Sequence, residues 1–197
     1  MTDKATIGNM ALGHIRAKTI ASFEEVSVAG NYVRTYYDLA RQQTLEGFNW
    51  GFARRRRALS LLVEAPASYW AYKYSLPSDC IKMREIEDVV RRSTDPIPFD
   101  VLLNDAGTSK TLVTNQADAV GIYTADIVNP NLFSPWMIVS MSWLLASYLS
   151  VPMAGRPEDE KRCFEWWQFS LSVAEANDAN EQQDDPEPDG KFVQSRA

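Results

Sequence analysis

The residues of this chain with side chains suited to chemistry are two clusters of carboxylates, one histidine, a loop ending in lysine and a run of arginines. Glu24 and Glu25 form one carboxylate cluster, and Glu158, Asp159 and Glu160 the other. Two such groups would suit the acid and base of glycoside cleavage. Both clusters fall where helices are expected to start, and the positive end of a helix dipole accounts for acids there without catalysis. His14 is the single histidine; partners at the spacing of a metal site or a triad do not surround it, and it reads as a surface or capping residue. Gly107-Thr-Ser-Lys110 has the last residues of a phosphate-binding loop but lacks the preceding glycine and the strand-to-helix setting. The chain is therefore expected to be non-enzymatic, with no catalytic residue, metal or cofactor.

Arg54, Arg55, Arg56 and Arg57 remain. Four arginines suit phosphate, but alternate residues of an extended segment face opposite ways, so two at most share a face. Pairing with acids of a neighbouring subunit, or with the acidic stretch from Glu165 to Asp189, is the favoured reading. The arginines end the stretch from Leu45 to Arg57, in which Gly47 reads as a helix stop and Phe48, Trp50 and Phe52 alternate with period two. The stretch is a junction between a helical and a strand-like layer, built for packing and interaction.

Bulk composition sets the frame. The 197 residues suffice for one domain with a core, and 45 % hydrophobic with 11 % aromatic content is that of a globular protein. The net charge of −6 is unevenly spread: between Cys163 and Gly190 lie eight acids and no Lys or Arg, leaving 18 acids to balance 20 bases elsewhere. That balance does not indicate a general nucleic-acid binder. Cys80 and Cys163 are too few and too far apart for a disulfide framework or zinc site. The N-terminus lacks the pattern of a signal peptide, so synthesis in the cytoplasm is expected.

The elements that must position these residues follow from periodicity. A short helix is expected over residues 3–14, with Ile7, Met10 and Ala11 on one stripe. Ser22-Phe-Glu-Glu25 has the form of a capping box. A second helix, from about Ser27 to Glu46, would bury Tyr32, Tyr36 and Leu39/Ala40 and keep Arg34, Asp38, Arg41 and Gln42 on its wetter faces. From about 55 to 125 the pattern is strand-like, from Leu59, Leu61 and Val63 through Ile81, Met83, Ile86, Val89 and Val90 to Val120, Ile122 and Tyr123, with prolines and Asn104-Asp105 as punctuation. Ile127 to Gly155 carries no charge and is long enough to span a bilayer. Its five serines, its two early prolines and the absence of flanking basic clusters favour a buried helix instead, with no membrane. A fourth helix opens at Arg156-Pro157-Glu158-Asp159-Glu160, with Phe164, Trp167, Leu171 and Val173/Ala174 as its apolar stripe. Trp166 and Trp167 cannot both enter one face, so one is core and the other a subunit contact. From Glu181 the composition is that of a disordered acidic tail, in which Phe192-Val193 would fold onto a partner at assembly.

The expected fold is mainly α with a β insertion (α+β): a four-helix bundle with a β-hairpin-rich arm between helices 2 and 3 and an extended C-terminal tail. The divisions are 1–54 for helices 1 and 2, 55–126 for the β-rich insertion, 127–180 for helices 3 and 4, and 181–197 for the tail.

Three motifs, taken with their order and spacing, give the chain a likeness: Ala11-Leu-Gly13 followed by Ile20-Ala-Ser-Phe-Glu-Glu25; Phe48-Asn-Trp-Gly-Phe-Ala-Arg54; and Tyr74-Ser-Leu-Pro-Ser-Asp-Cys-Ile81. Over about residues 5 to 180 the chain resembles the tail adaptor (tail tubular protein A) family of short-tailed bacteriophages. The resemblance implies a structural protein of the virion tail at the head–tail junction. It would form a ring of about twelve subunits, between the portal protein and the tail nozzle or tube, with genomic DNA passing through without sequence-specific binding. It further implies that the helices pack side by side around the ring, that the β arm, starting at Tyr74, Leu76, Pro77 and Asp79, faces the distal tail, and that the C-terminal segment with Phe192 and Val193 reaches the portal. Trp50, Phe52, Arg54 to Arg57 and Trp166 are the expected subunit or partner interface. The competing readings are a head-completion connector of a long-tailed phage, a tail-borne peptidoglycan hydrolase using two of the carboxylates, and a DNA-binding packaging protein using the arginines.

Overall fold

The computed structural model describes residues 2–66, 69–87, 96–104 and 106–181. The expected strand residues Val89 and Val90, the turn residue Asp105, and the tail beyond Glu181 with Phe192 and Val193 lie outside the described residues. Helices α1 (Lys4–His14) and α2 (Val28–Gly47) come first, then seven strands, then α3 (Pro135–Ala154) and α4 (Pro157–Glu181). The strands are β1 (Arg54–Ala58), β2 (Ser60–Leu61), β3 (Tyr72–Ser75), β4 (Cys80–Glu87), β5 (Phe99–Leu103), β6 (Lys110–Thr114) and β7 (Val120–Ala125).

Each of the first three long helical segments starts on a side-chain cap. Asp3 Oδ1 accepts from the Thr6 N–H at 2.7 Å, Ser27 Oγ from Gly30 N–H at 3.1 Å, and Ser134 Oγ from Met137 N–H at 3.2 Å. The Ser22–Glu25 box does not open a helix: Glu25 accepts from the Ala21 N–H, and α2 waits for Ser27. The buried line of α2 is Val33, Tyr37, Ala40 and Thr44, one residue on from the expected stripe. Tyr32 and Tyr36 stack beside it, Tyr36 against Tyr148 of α3, and Leu39 stays exposed.

The strands form two antiparallel sheets, one in the order β1-β7-β4 and one in the order β2-β3-β6-β5. β1 and β2 are one ribbon bent at the buried Leu59, whose N–H is held by Ala119 O at 2.9 Å, so the same stretch serves both sheets. Gly121 in β7 leaves room for Met83 and Leu59 to lie across the first sheet, since a Cβ there would sit 2.9 Å from Met83 Cε.

A four-helix bundle does not form. α3 is the centre: α1, α2 and α4 each pack on it, while α2 also packs on β4 and β7. The buried residues run as a single cluster from Ile7 through Tyr74, Leu112 and Tyr123 to Leu149 and Ala174, so strands and helices share one core. Two physical causes decide this. An uncharged α3 is apolar on every side and must be covered all round, which sets it inside three helices rather than at one corner of four. α1, with 11 residues, is about 16 Å long and cannot line a bundle built on 20-residue and 25-residue partners. The fold is mixed α+β, with two sheets and not a hairpin arm on a mainly α body.

Pro135–Met153 of α3 is long and apolar enough to cross a membrane by length and composition alone. Met137, Met141, Leu144, Leu145 and Leu149 are fully buried, and Ser147 and Ser150 donate to carbonyls one turn back, so internal packing accounts for its apolarity.

Candidate functional site

The junction after α2 is a built joint. α2 ends at Gly47, as expected, though not in a left-handed turn; a Cβ there would meet Leu171 Cδ1 of α4 at 3.2 Å, and so the glycine admits α4 closely. Gly51–Ala53 is a 3-10 turn rather than an extended run. Trp50 is buried and its indole N–H donates to Thr44 O at 2.8 Å, closing the C-terminal end of α2. Phe48 meets Trp50 edge-on at 4.9 Å, and Phe52, half-buried, bridges Trp50 to Phe133. Trp50 and Phe52 therefore line a groove together with Ser134, Pro135, Trp136, Ala174 and Asn177.

The arginines form edge strand β1, paired to β7 with Arg54 opposite Thr124 and Arg57 opposite Gly121. Alternation divides them as the backbone requires. Arg55 donates to Asp79 Oδ2 at 2.7 Å, and Tyr123 OH donates to Asp79 Oδ1 at 3.1 Å. Arg57 also bonds the Tyr123 side chain; burial foremost, then the bond to Asp79, raises the Tyr123 phenol above its usual range. On the opposite face Arg56 pairs with Glu87. Two of the four arginines are thus held by carboxylates of their own sheets, so pairing with a neighbour or with the acidic C-terminal stretch is not needed for them. Tyr74, Leu76, Pro77 and Asp79 sit together before β4: Tyr74 is buried with its hydroxyl donating to Gln116 O at 2.9 Å, and Pro77 O accepts from Cys80 N–H.

A second face is aromatic. His14 at the end of α1 stacks on Trp143 of α3 with centroids 3.5 Å apart, Trp143 stacks on Trp166 of α4 at 5.6 Å, and Trp166 meets Phe169 edge-on at 5.5 Å. Trp167 packs against the core while Trp166 is 46 % exposed. Phe164, expected in the stripe, is exposed, and Cys163, Ser170 and Ala174 take the buried positions.

Three of the groups with catalytic potential, His14, Asp159 and Glu25, have partners in the fold. His14 Nε2 lies 3.0 Å from Ser142 Oγ, but that hydroxyl already donates to Val139 O at 2.8 Å, so the imidazole is the donor and does not activate the serine. Burial, with Arg162 nearby, pushes the imidazole down to about 4 and keeps it neutral. Asp159 is buried and pairs with Arg162 at 2.8 Å, while Glu25 holds a backbone turn. Gly107-Thr-Ser-Lys110 is the turn between β5 and β6, closed by Asn104 Oδ1 accepting from Thr108 and Ser109 N–H. Among the described residues no group of three or more His, Cys, Asp or Glu is placed to hold a metal ion.

Three residues escaped the sequence reading. Arg41, assigned to a wet face, is 3 % exposed; it pairs with Asp126, donates to Ile127 O at 3.1 Å and contacts Asp38. Asp126 is the last charge before a long uncharged segment, the one signal that marks it. Arg84 reaches from β4 to the carbonyls at the end of α2. No family model matches the chain, and no curated protein matches it.

Proposed function

We propose that this chain is a structural, non-enzymatic head-to-tail adaptor of a short-tailed bacteriophage. In this reading it forms a ring between the portal protein and the tail nozzle or tube, in the virion tail, with DNA passing through without sequence-specific binding. The observation that carries the reading is the Arg55–Asp79 pair. It joins the residue that follows the aromatic junction to the Asp of the Tyr-x-Leu-Pro-x-Asp segment, so two of the three motifs of the resemblance meet, across 24 residues of sequence. The junction closes the end of α2 through Trp50, and Asp79 ties the strand entry to β1 and β7, so both motifs serve packing between elements, in keeping with a structural part. The exposed aromatic rings of α4 add a surface of the kind that subunit contacts use.

The test is electron microscopy of the purified chain, alone and after mixing with the portal protein of the same source. Rings that form in solution or on the portal are the expected result. A chain that stays monomeric and ignores the portal overturns the reading.

A further inference from the structure

Trp166 and Phe169 lie one turn apart on α4, both largely exposed, with their rings perpendicular, and Glu165 stands beside them. The three line an open pocket. Two aromatic faces set at a right angle with a carboxylate next to them make half of a cation cage: the ring quadrupoles attract a cation and the carboxylate fixes it. A planar guanidinium suits such a corner better than an ammonium, because it stacks and bonds a carboxylate at once. Glu165 is available for this role, since among the described residues its ionic neighbour is Lys161 at 3.9 Å in solvent, a contact of little strength.

The chain carries the matching group on another surface. β1 is packed on β7, while α4 is packed on α3, so the arginine edge and the aromatic corner belong to different elements of the molecule. Arg55 and Arg56 are held by Asp79 and Glu87; Arg57 is exposed and, among the described residues, has no carboxylate. We propose that the Trp166–Phe169–Glu165 corner receives the Arg57 guanidinium of a second copy of this chain. Corner and arginine lie on different elements, and a head-to-tail contact between them is the geometry that generates rings when the rotation closes. The proposal rests on the ring reading above and names the surfaces that meet.

The test is a charge exchange read by sedimentation velocity on the full chain, with ring assembly on the portal as a second readout. Glu165→Arg and Arg57→Glu are each expected to weaken self-association by about tenfold or more, with far-UV circular dichroism unchanged. Mixed in equal amounts, the two variants present one native and one reversed contact in alternation and recover association. That recovery is specific to a pairing of these two residues, and assemblies larger than a dimer mark it as head-to-tail. If the wild type forms rings and both single variants do so equally well, the contact is overturned and the ring reading stands. If the wild type associates neither alone nor on the portal, both fall. Variants that weaken association without recovery on mixing overturn the pairing with Arg57.

Discussion

Arg84 donates to the carbonyl of Phe48 at 2.7 Å and, with the same nitrogen, to those of Glu46 at 2.9 Å and Leu45 at 3.3 Å. A guanidinium from strand β4 thus caps the C-terminal end of α2, where a helix leaves carbonyls without partners and its dipole favours a cation. Its Nε also donates to Thr124 Oγ1 on β7 at 2.8 Å. Replacement by methionine keeps much of the stem and removes every one of these bonds. We expect a loss of about 2 kcal/mol, read as a lower urea midpoint with unchanged slope.

Arg41 and Asp126 form the other tie between α2 and the strands, and here burial raises the stakes. Asp126→Asn leaves the buried guanidinium only the exposed Asp38 as a counter-charge and is expected to cost about 3 kcal/mol. Replacing both partners with apolar residues of similar size should cost less than Asp126→Asn alone. Chemical denaturation of both single variants and the double variant measures the difference, and a double loss equal to the sum of the single losses would show that the pair is not coupled.

Gly30 is a position where a methyl group has no room. A Cβ there would lie 2.3 Å from the carbonyl oxygen of Glu25, which is backbone and cannot swing aside. Gly30→Ala is expected to destabilise the chain by about 2 kcal/mol, although alanine is the better helix former. Thermal unfolding compares it with Gly13→Ala, where the space is open and the change should be neutral or favourable.

His14 predicts a pH dependence. Burial pushes its imidazole down to about 4 from an ordinary 6.5, so between those values the unfolded chain binds a proton that the folded chain does not. Its contribution to stability is fully present above about 6.5 and is lost as pH falls toward about 4. The groups facing it are Trp143 and Ser142 of α3 and Arg162 of α4. Urea midpoints at pH 7.5 and 5 should differ more for the wild type than for His14→Gln.

The sequence by itself determined the elements. Ser27, where the second helix is expected to begin, caps it because its side chain satisfies a backbone N–H three residues on, whereas the equally local Ser22–Glu25 pattern opens no helix. The change of period after Arg54, the turn at Asn104, and the choice of Trp167 over Trp166 for the core belong to the same class of one-element facts. Tertiary structure decided how these elements close. The apolar stripes of four helices are consistent with a bundle, but only packing reveals that α3 must be wrapped by three helices and that α2 has strands on its remaining side. It also decided the partners of the charges. Arg41 meets Asp126 across 85 residues and Arg84 meets Phe48 across 36, and nothing in local periodicity distinguishes a guanidinium bound for such a site from one facing water. Long-range pairing is set by where the core leaves carbonyls and carboxylates unsatisfied, a property of the assembled layers and not of any one segment.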